Sequence, residues 1–258
     1  MNLPRILVIL PVLNEAAHLG ILFTEIRQII PPERLKFLII DDGSVDGTLD
    51  IARNLCLEWP QSIHLLSRTK SSRGSMRGKA LLDGVIWGIK NTDCSIFVEM
   101  DGDLSHRPVE LKTGIHLIHD AGYDVAIASK FMPGGQVVNR PFGRNLVSFF
   151  SSYLVRMLIS FRIKDYSNGY RFYTRHAAQI ILDHQIRYLS PIYLTEVLAI
   201  WLRNHMRVME FPSIYVGRGE GVSKLRFRDL TKALVAVFSI SWLYRFGTFA
   251  RFDSGHAR

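Results

Sequence analysis

The stretch "SIFVEMDGDLSHRP", residues 95–108, decides how the chain is read. Its core, Ile96-Phe97-Val98, shows no polar alternation, the pattern of a strand buried on both faces. Such strands belong to parallel sheets held between two layers of helices. The run ends at Asp101-Gly102-Asp103, two carboxylates one residue apart. That pair has three readings: ligands for a hard cation, a general acid and base, or a turn.

The same arrangement recurs on either side. Apolar runs at 5–10, 37–40, 63–66, 95–100 and 124–128 alternate with helix-like segments at 15–30, 46–56, 79–90 and 108–120. This alternation predicts an α/β fold, a Rossmann-like and mostly parallel sheet with helices on both faces. In such sheets ligands bind beyond the carboxyl ends of the strands. The polar clusters fall at those ends: Asn14-Glu15, Asp41-Asp42-Gly43-Ser44 and Asp101-Gly102-Asp103. After residue 128 the pattern changes. A Pro/Gly-rich loop leads to a helix over 142–159, and a polar turn over 164–169 precedes a short strand over 170–173. Helices near 176–184 and 194–204 and apolar runs at 208–211 and 213–216 follow. With no repeat or linker, one domain spans 1–225, and a basic, apolar, amphipathic helical segment spans 226–258.

At 258 residues, 48% hydrophobic and 21% charged, the chain can bury a sizeable core. The net charge of +9 is unevenly placed. Residues 1–125 carry 13 Lys+Arg against 16 Asp+Glu, and residues 126–258 carry 19 against 7, a net of +12. A basic half suits a polyanionic partner: nucleic acid, a phosphorylated substrate or an anionic membrane. Cys56 and Cys94 lack metal-ligand spacing and read as two buried, reduced thiols of a cytosolic protein. The N-terminal apolar stretch is broken by Pro11 and does not read as a signal peptide. No stretch reaches the ~20 apolar residues of a membrane span.

The strand ends narrow the chemistry. A dinucleotide-binding turn needs G-x-G-x-x-G after the first strand, where this chain has Pro11-Val12-Leu13-Asn14-Glu15. In "DDGSVDGT", residues 41–48, Asp46 is placed to cap the next helix, and Gly43 and Gly47 permit tight turns. The cluster reads equally as turn chemistry or as carboxylates for ribose hydroxyls or a base edge. Asp101-x-Asp103 at a buried strand's end suits a Mg²⁺ or Mn²⁺ ion that also takes diphosphate oxygens.

Taken in order, these motifs resemble the family-2 glycosyltransferases of the GT-A fold, along residues 5 to about 240. P-x-x-N-E, DDGSxDGT, a G-K-A helix start and M-D-x-D-L-S-H-x-P follow the family sequence. "IASKFMPGG" (127–135), "FGRNLVSFFSSYL" (142–154), "IKDYSNGYRFYTR" (163–175) and "EFPSIYVGRGEGVSKL" (210–225) are similar to the dolichol- and polyprenyl-phosphate mannose synthases. The resemblance implies inverting transfer of a hexose from a nucleotide sugar to a polyprenyl phosphate. GDP-mannose is the favoured donor and a UDP-sugar the alternative. Pro11, Asn14, Glu15, Asp42, Lys79, Asp101 and Gly102 would bind the donor. Asp101, Asp103 and Ser105 would hold Mg²⁺ or Mn²⁺, with His106 a neighbour. Asp103 and the cations Lys130, Arg144, Arg218 and Lys224 would form the catalytic set. A phosphate acceptor is already anionic and needs no base; the demand shifts to cations that bring two anions together.

Three departures stand out. Lys130 replaces a usual Arg, Gly143 a frequent second Arg, and "SSRGSMRGKALL" lacks the G-L-G-T-A-Y of mannose synthases. A rival reading is a soluble glycosyltransferase acting on a hydroxyl, with Glu196 as base. Another is a non-catalytic basic module for nucleic acid or anionic lipid, which leaves the carboxylate clusters unexplained. No nucleic-acid partner is expected. Residues 145–159 and 230–252 mix apolar and aromatic residues with flanking Lys and Arg, as core helices or as helices lying in a membrane interface. The expected placement is peripheral on the cytoplasmic face of a membrane, with a separate anchoring subunit as a candidate partner.

Overall fold

The computed structural model describes residues 4–68, 76–139, 142–217 and 227–251, with backbone alone for 142–149 and 227–230. Strand β1 (Ile6–Val12) shows why the fold forms. Leu7 and Ile9 enter one core cluster, while Ile6, Val8, Leu10 and Val12 enter another. A strand with apolar residues at every position has no solvent face and must be covered on both sides. Helices α1 (Ala16–Ile29), α2 (Thr48–Glu58) and α4 (Leu111–His119) cover the second cluster. Helices α3 (Arg77–Asn91), α6 (Arg175–Leu182) and α7 (Tyr193–Arg203) cover the first.

The remaining strands of the main sheet are β2 (Leu35–Asp41), β3 (Ile63–Ser67), β4 (Ile96–Glu99), β5 (Val125–Ser129), β7 (Arg171–Thr174) and β8 (Val208–Pro212). Their order is β3-β2-β1-β4-β7-β5-β8. The chain runs outward from β1 through β2 to β3, then returns to place β4 on β1's other side. This strand-order reversal opens a crevice beyond the carboxyl ends of β1 and β4. All pairings are parallel except those of β7, which runs antiparallel to both β4 and β5. Strand β6 (Gln136–Val138) pairs in parallel with β9 (Ile214–Val216) in a small second sheet. Sequence pattern reads β6 as loop, because three half-exposed residues carry no periodicity. Cys94 is buried as expected, but Cys56 is only half-buried.

Glycines set the approach of α3 to the sheet. A Cβ at Gly84 would meet Ile9 Cγ2 at 2.5 Å, and one at Gly88 would overlap Leu7 and Phe97. Helix α8 (Phe227–Arg245) packs on α7 and on α5 (Phe142–Leu158) through Ala236, Ile240 and Leu243. Arg245 Nε donates to Leu158 O at 2.8 Å, tying the two helix ends together. The outer faces of the same helices are apolar too: Phe150 and Tyr153 on α5, and Val235, Phe238 and Trp242 on α8, are exposed. Among the described residues no helix is long and apolar enough to cross a membrane.

Candidate active site

The three strand-end clusters meet at the crevice. Asn14, at the end of β1, takes a left-handed backbone with φ of 58°, a conformation asparagine tolerates better than most residues. Its backbone N–H donates to Ser44 Oγ at 2.9 Å, and its Oδ1 accepts from Val45 N at 2.9 Å. Glu15 is buried, and its N–H donates to Thr48 Oγ1 at 2.7 Å. Asp46 serves both helices: Oδ2 accepts from Ala16 N and Oδ1 from Thr48 N, each at 3.1 Å. The Thr48 hydroxyl bond lowers the Asp46 pKa.

The adjacent aspartates Asp41 and Asp42 divide the two readings of their cluster. Asp41 is buried, and its Oδ2 accepts from Gly43 N at 3.0 Å and Ser44 N at 3.1 Å, so it builds the turn. Asp42 is half-buried, 3.1 Å from Arg68 Nη1, and burial raises its pKa. Arg68 also lies 3.7 Å from Asp83, which pairs with Lys79. Lys79 therefore spends its charge on its own helix. Pro11 stands where the β1–β4 ladder has ended at Ile9–Glu99, so its missing N–H breaks no bond to β4.

The Asp101–Asp103 turn closes over β1. A Cβ at Gly102 would meet Val12 Cγ1 at 2.6 Å, so only glycine permits this approach. Asp103 Oδ1 accepts from Ser105 N at 3.0 Å, and Leu104 is left-handed with φ of 59°. The Ser105 side chain is buried, and its Oγ has no hydrogen-bond partner among the described residues. His106 is 2% exposed; its ring stacks on Tyr170 at 4.9 Å and meets Tyr215 edge-on. Its Nδ1 accepts from Asp101 N at 3.0 Å. A ring nitrogen that accepts carries no proton, so in the neutral ring the proton sits on Nε2, 3.8 Å from Asp101 Oδ2. Burial pushes the His106 pKa down and favours that neutral form. Through the bond from Asp101 N, His106 fixes the backbone at Asp101.

Beyond Asp101 lies a cleft of roughly 240 Å³ lined by Arg77, His106, Lys130, Asn168, Gly169 and Tyr215, among others. Lys130 reaches it already paired. Its Nζ donates to Asp165 Oδ2 and to Ser167 Oγ, each at 3.1 Å. Asp165 Oδ1 accepts from Ser167 N and Asn168 N at 3.0 Å each, fixing the 165–168 turn. Arg171 does not bond Asp165. It is fully buried and donates to the carbonyls of Asn168, Leu194 and Tyr166. Beneath the site Glu99 accepts from Tyr173 Oη at 3.0 Å, and burial raises its pKa.

Arg77, the first residue of α3, contacts Asp101 and was not apparent from sequence. The G-K-A motif that follows it points to Lys79 instead. The signal for Arg77 is positional: the first turn of α3 opens onto the crevice, and residue 77 is on that side. Arg144 lies on α5, with its backbone alone described; Arg218 and Lys224 lie outside the described residues. Glu196 is fully buried, and its carboxylate accepts from Arg187 N and Tyr188 N at 3.1 and 2.9 Å.

The sequence from residue 7 to 182 matches the model of the glycosyl transferase family 2. The chain belongs to glycosyltransferase family 2. The glycosyltransferase is 34% identical over 235 residues to a polyprenol monophosphomannose synthase of Mycolicibacterium smegmatis, covering 90% of this chain and 85% of that one. It is 31% identical to an undecaprenyl-phosphate mannosyltransferase of Micrococcus luteus, over 98% of each. Among solved structures, the glucosyl-3-phosphoglycerate synthase of Mycobacterium tuberculosis with Mn²⁺, UDP-glucose and phosphoglyceric acid superposes with a TM-score of 0.64 at 15% identity, covering 98% and 82%. A mannosyltransferase from Pyrobaculum calidifontis in complex with GDP-Man and Mn²⁺ superposes with a TM-score of 0.59 at 17% identity, covering 92% and 63%. At those identities the superpositions establish the GT-A-like fold of this glycosyltransferase.

Proposed function

We propose that this glycosyltransferase transfers a hexose, mannose in the favoured case, from a nucleoside-diphosphate sugar to a polyprenyl phosphate with inversion at the anomeric carbon. The observation that carries the reading is the convergence of Asp101 with Arg77 and Lys130 on one cleft at the strand-order reversal. Two relatives that match along most of the chain act, by their names, on polyprenol and undecaprenyl phosphate. GDP-mannose is the favoured donor and a UDP-sugar the alternative.

In the proposed reaction a lipid phosphate oxygen attacks the anomeric carbon as its bond to the diphosphate breaks, leaving negative charge on the nucleoside diphosphate. Asn14, Glu15 and Asp42 border the crevice on the nucleotide side, with Pro11 and Gly102 shaping its floor. Asp101, Asp103 and Ser105 fit a hard cation: two carboxylates at a strand end and a buried hydroxyl with an open valence. Among the described residues no cluster of three or more His, Cys, Asp or Glu side chains could hold a metal by itself. Mg²⁺ or Mn²⁺ would therefore draw further ligands from the donor, as Mg²⁺ commonly does. Bound there, it would neutralise charge on the diphosphate. Lys130 holds the 165–168 turn against the cleft; Arg144, Arg218 and Lys224 are the cations proposed for the acceptor phosphate. A hydroxyl acceptor would need a base, and Glu196, buried with backbone donors on its carboxylate, does not line the cleft.

The exposed apolar faces of α5 and α8 are proposed to rest in a membrane interface, on the cytoplasmic side, where the lipid phosphate is presented. The test is incubation of purified protein and Mg²⁺ or Mn²⁺ with labelled nucleotide sugars and polyprenyl phosphate. An organic-extractable product is expected. Donor hydrolysis without such a product would overturn the lipid acceptor.

A further inference from the structure

Around the crevice the lysines are hydrogen-bonded to partners, whereas the two arginines, Arg68 and Arg77, face carboxylates with buried N–H groups that lack an aligned acceptor among the described residues. Arg68 serves Asp42 and Asp83, Lys79 serves Asp83, and Lys130 serves Asp165 and Ser167. Arg77 has the larger shortfall, two such groups against one on Arg68. Its Nη2 lies 2.5 Å from Asp101 Oδ1, yet without the alignment of a hydrogen bond. Its Nε and Nη2 are buried and have no hydrogen-bond acceptor among the described residues. A guanidinium has five donors in a planar fork, and leaving them unmatched is costly.

The two ends of this residue are held differently. Its backbone is fixed, because α3 is seated hard against the 189–193 segment. A Cβ at Gly78 would meet Ser190 O and Tyr193 Cβ at 2.5 Å each, and Lys79 N donates to Leu189 O at 3.0 Å. The head rests on the bare backbone of Gly169, where a Cβ would lie 2.9 Å from Arg77 Cζ. The guanidinium thus occupies the cleft beside Asp101 on an anchored base, with only its own torsions to change.

Asp101 is also one of the two carboxylates that fit the divalent ion. One carboxylate then has two cationic claimants, and an ion on Asp101 repels the guanidinium beside it. A diphosphate resolves the conflict, since it offers oxygens to the ion and a pair of oxygens to the fork of an arginine. We propose that Arg77 is a ligand of the donor's diphosphate and competes with the divalent ion for Asp101, so that ion and nucleoside diphosphate bind cooperatively. The proposal rests on the donor reading above and adds to it a residue and an order: the ion binds well only together with the diphosphate. Because coupling is reciprocal, each ligand strengthens the other by the same factor.

Binding measurements on the full chain, without turnover, test it. Mn²⁺ is titrated by electron paramagnetic resonance with and without GDP or UDP, and each nucleotide by calorimetry with and without Mn²⁺. In Arg77→Leu, Mn²⁺ alone binds about 10-fold more tightly than in wild type, and nucleotide with Mn²⁺ about 10-fold more weakly. Arg77→Lys, which keeps the charge and loses the fork, falls between. Unchanged or weaker binding of Mn²⁺ alone in Arg77→Leu, with an unaltered melting temperature, overturns the competition. Wild-type coupling retained in the Leu variant overturns the role of Arg77 and leaves the donor reading standing. Failure of wild type to bind either nucleotide overturns both.

Discussion

Replacing Lys130 by methionine separates a structural from a chemical role for a residue that sequence alone places among the catalytic cations. The Lys130 side chain is 7% exposed, and its partner Asp165 is wholly buried. At 3.1 Å the attraction is about 5 kcal/mol for an effective dielectric constant of roughly 20. Methionine keeps most of the volume but leaves Asp165 Oδ2 without that donor. Oδ1 retains its bonds from Ser167 and Asn168, so part of the charge stays compensated. The expected net loss is about 3 kcal/mol, at the low end for breaking a buried pair. Asp165→Asn should cost about 2 kcal/mol by stranding the lysine, and the double variant should cost less than the sum, with a coupling of at least ~2 kcal/mol. Urea denaturation of wild type, both single variants and the double variant gives this number directly. Coupling within about 0.5 kcal/mol of zero would show that the pair does not hold the 165–168 turn, and the argument for a structural Lys130 would fail.

Two further outcomes follow from burial and exposure. Burial raises the Glu196 pKa, so the folded state holds that proton more tightly than the unfolded chain does. Its contribution to stability is complete below the ordinary glutamate value, about 4.3, and is lost as pH rises through the raised folded value. Glu196→Gln should therefore lose less stability than wild type as pH rises above the ordinary glutamate value in parallel urea titrations; identical slopes would refute the assignment. On α8, Phe238 and Trp242 are 55% and 60% exposed. If that face rests in a lipid interface, Phe238→Glu with Trp242→Glu should weaken cosedimentation with anionic vesicles by more than about 10-fold and leave the melting temperature in place. Equal cosedimentation would remove the interface from this face.

The parallel half of the sheet was legible because β1, β2 and β4 are apolar at nearly every position and each ends in carboxylates or a polar cluster. What pattern could not tell was which member of a cluster faces which way. Asp41 and Asp42 are neighbours of the same type, yet one builds a turn and the other faces Arg68. Asp165 and Arg171 are opposite charges on one turn, yet Lys130 takes the acid and three carbonyls take the arginine. Arg77 escaped because a charge at a helix start is ordinarily a solvated one, and only the packing of α3 on the 189–193 segment aims it inward. The orientation of β7 was also hidden, since a four-residue strand, Arg171-Phe172-Tyr173-Thr174, carries no mark of direction.

That orientation has a consequence for how such a protein can change. The start of a reversed strand lies beside the finish of its parallel neighbours, so the 165–169 turn sits at the same rim as Asp101. The rim is a seam: one lip comes from the first half of the chain, the other from the second. Substitutions in the later lip can retune what is accepted while the earlier lip, with its carboxylates, is left untouched. A single inverted strand lets one lip of the cleft be refitted without rebuilding the sheet that carries the other.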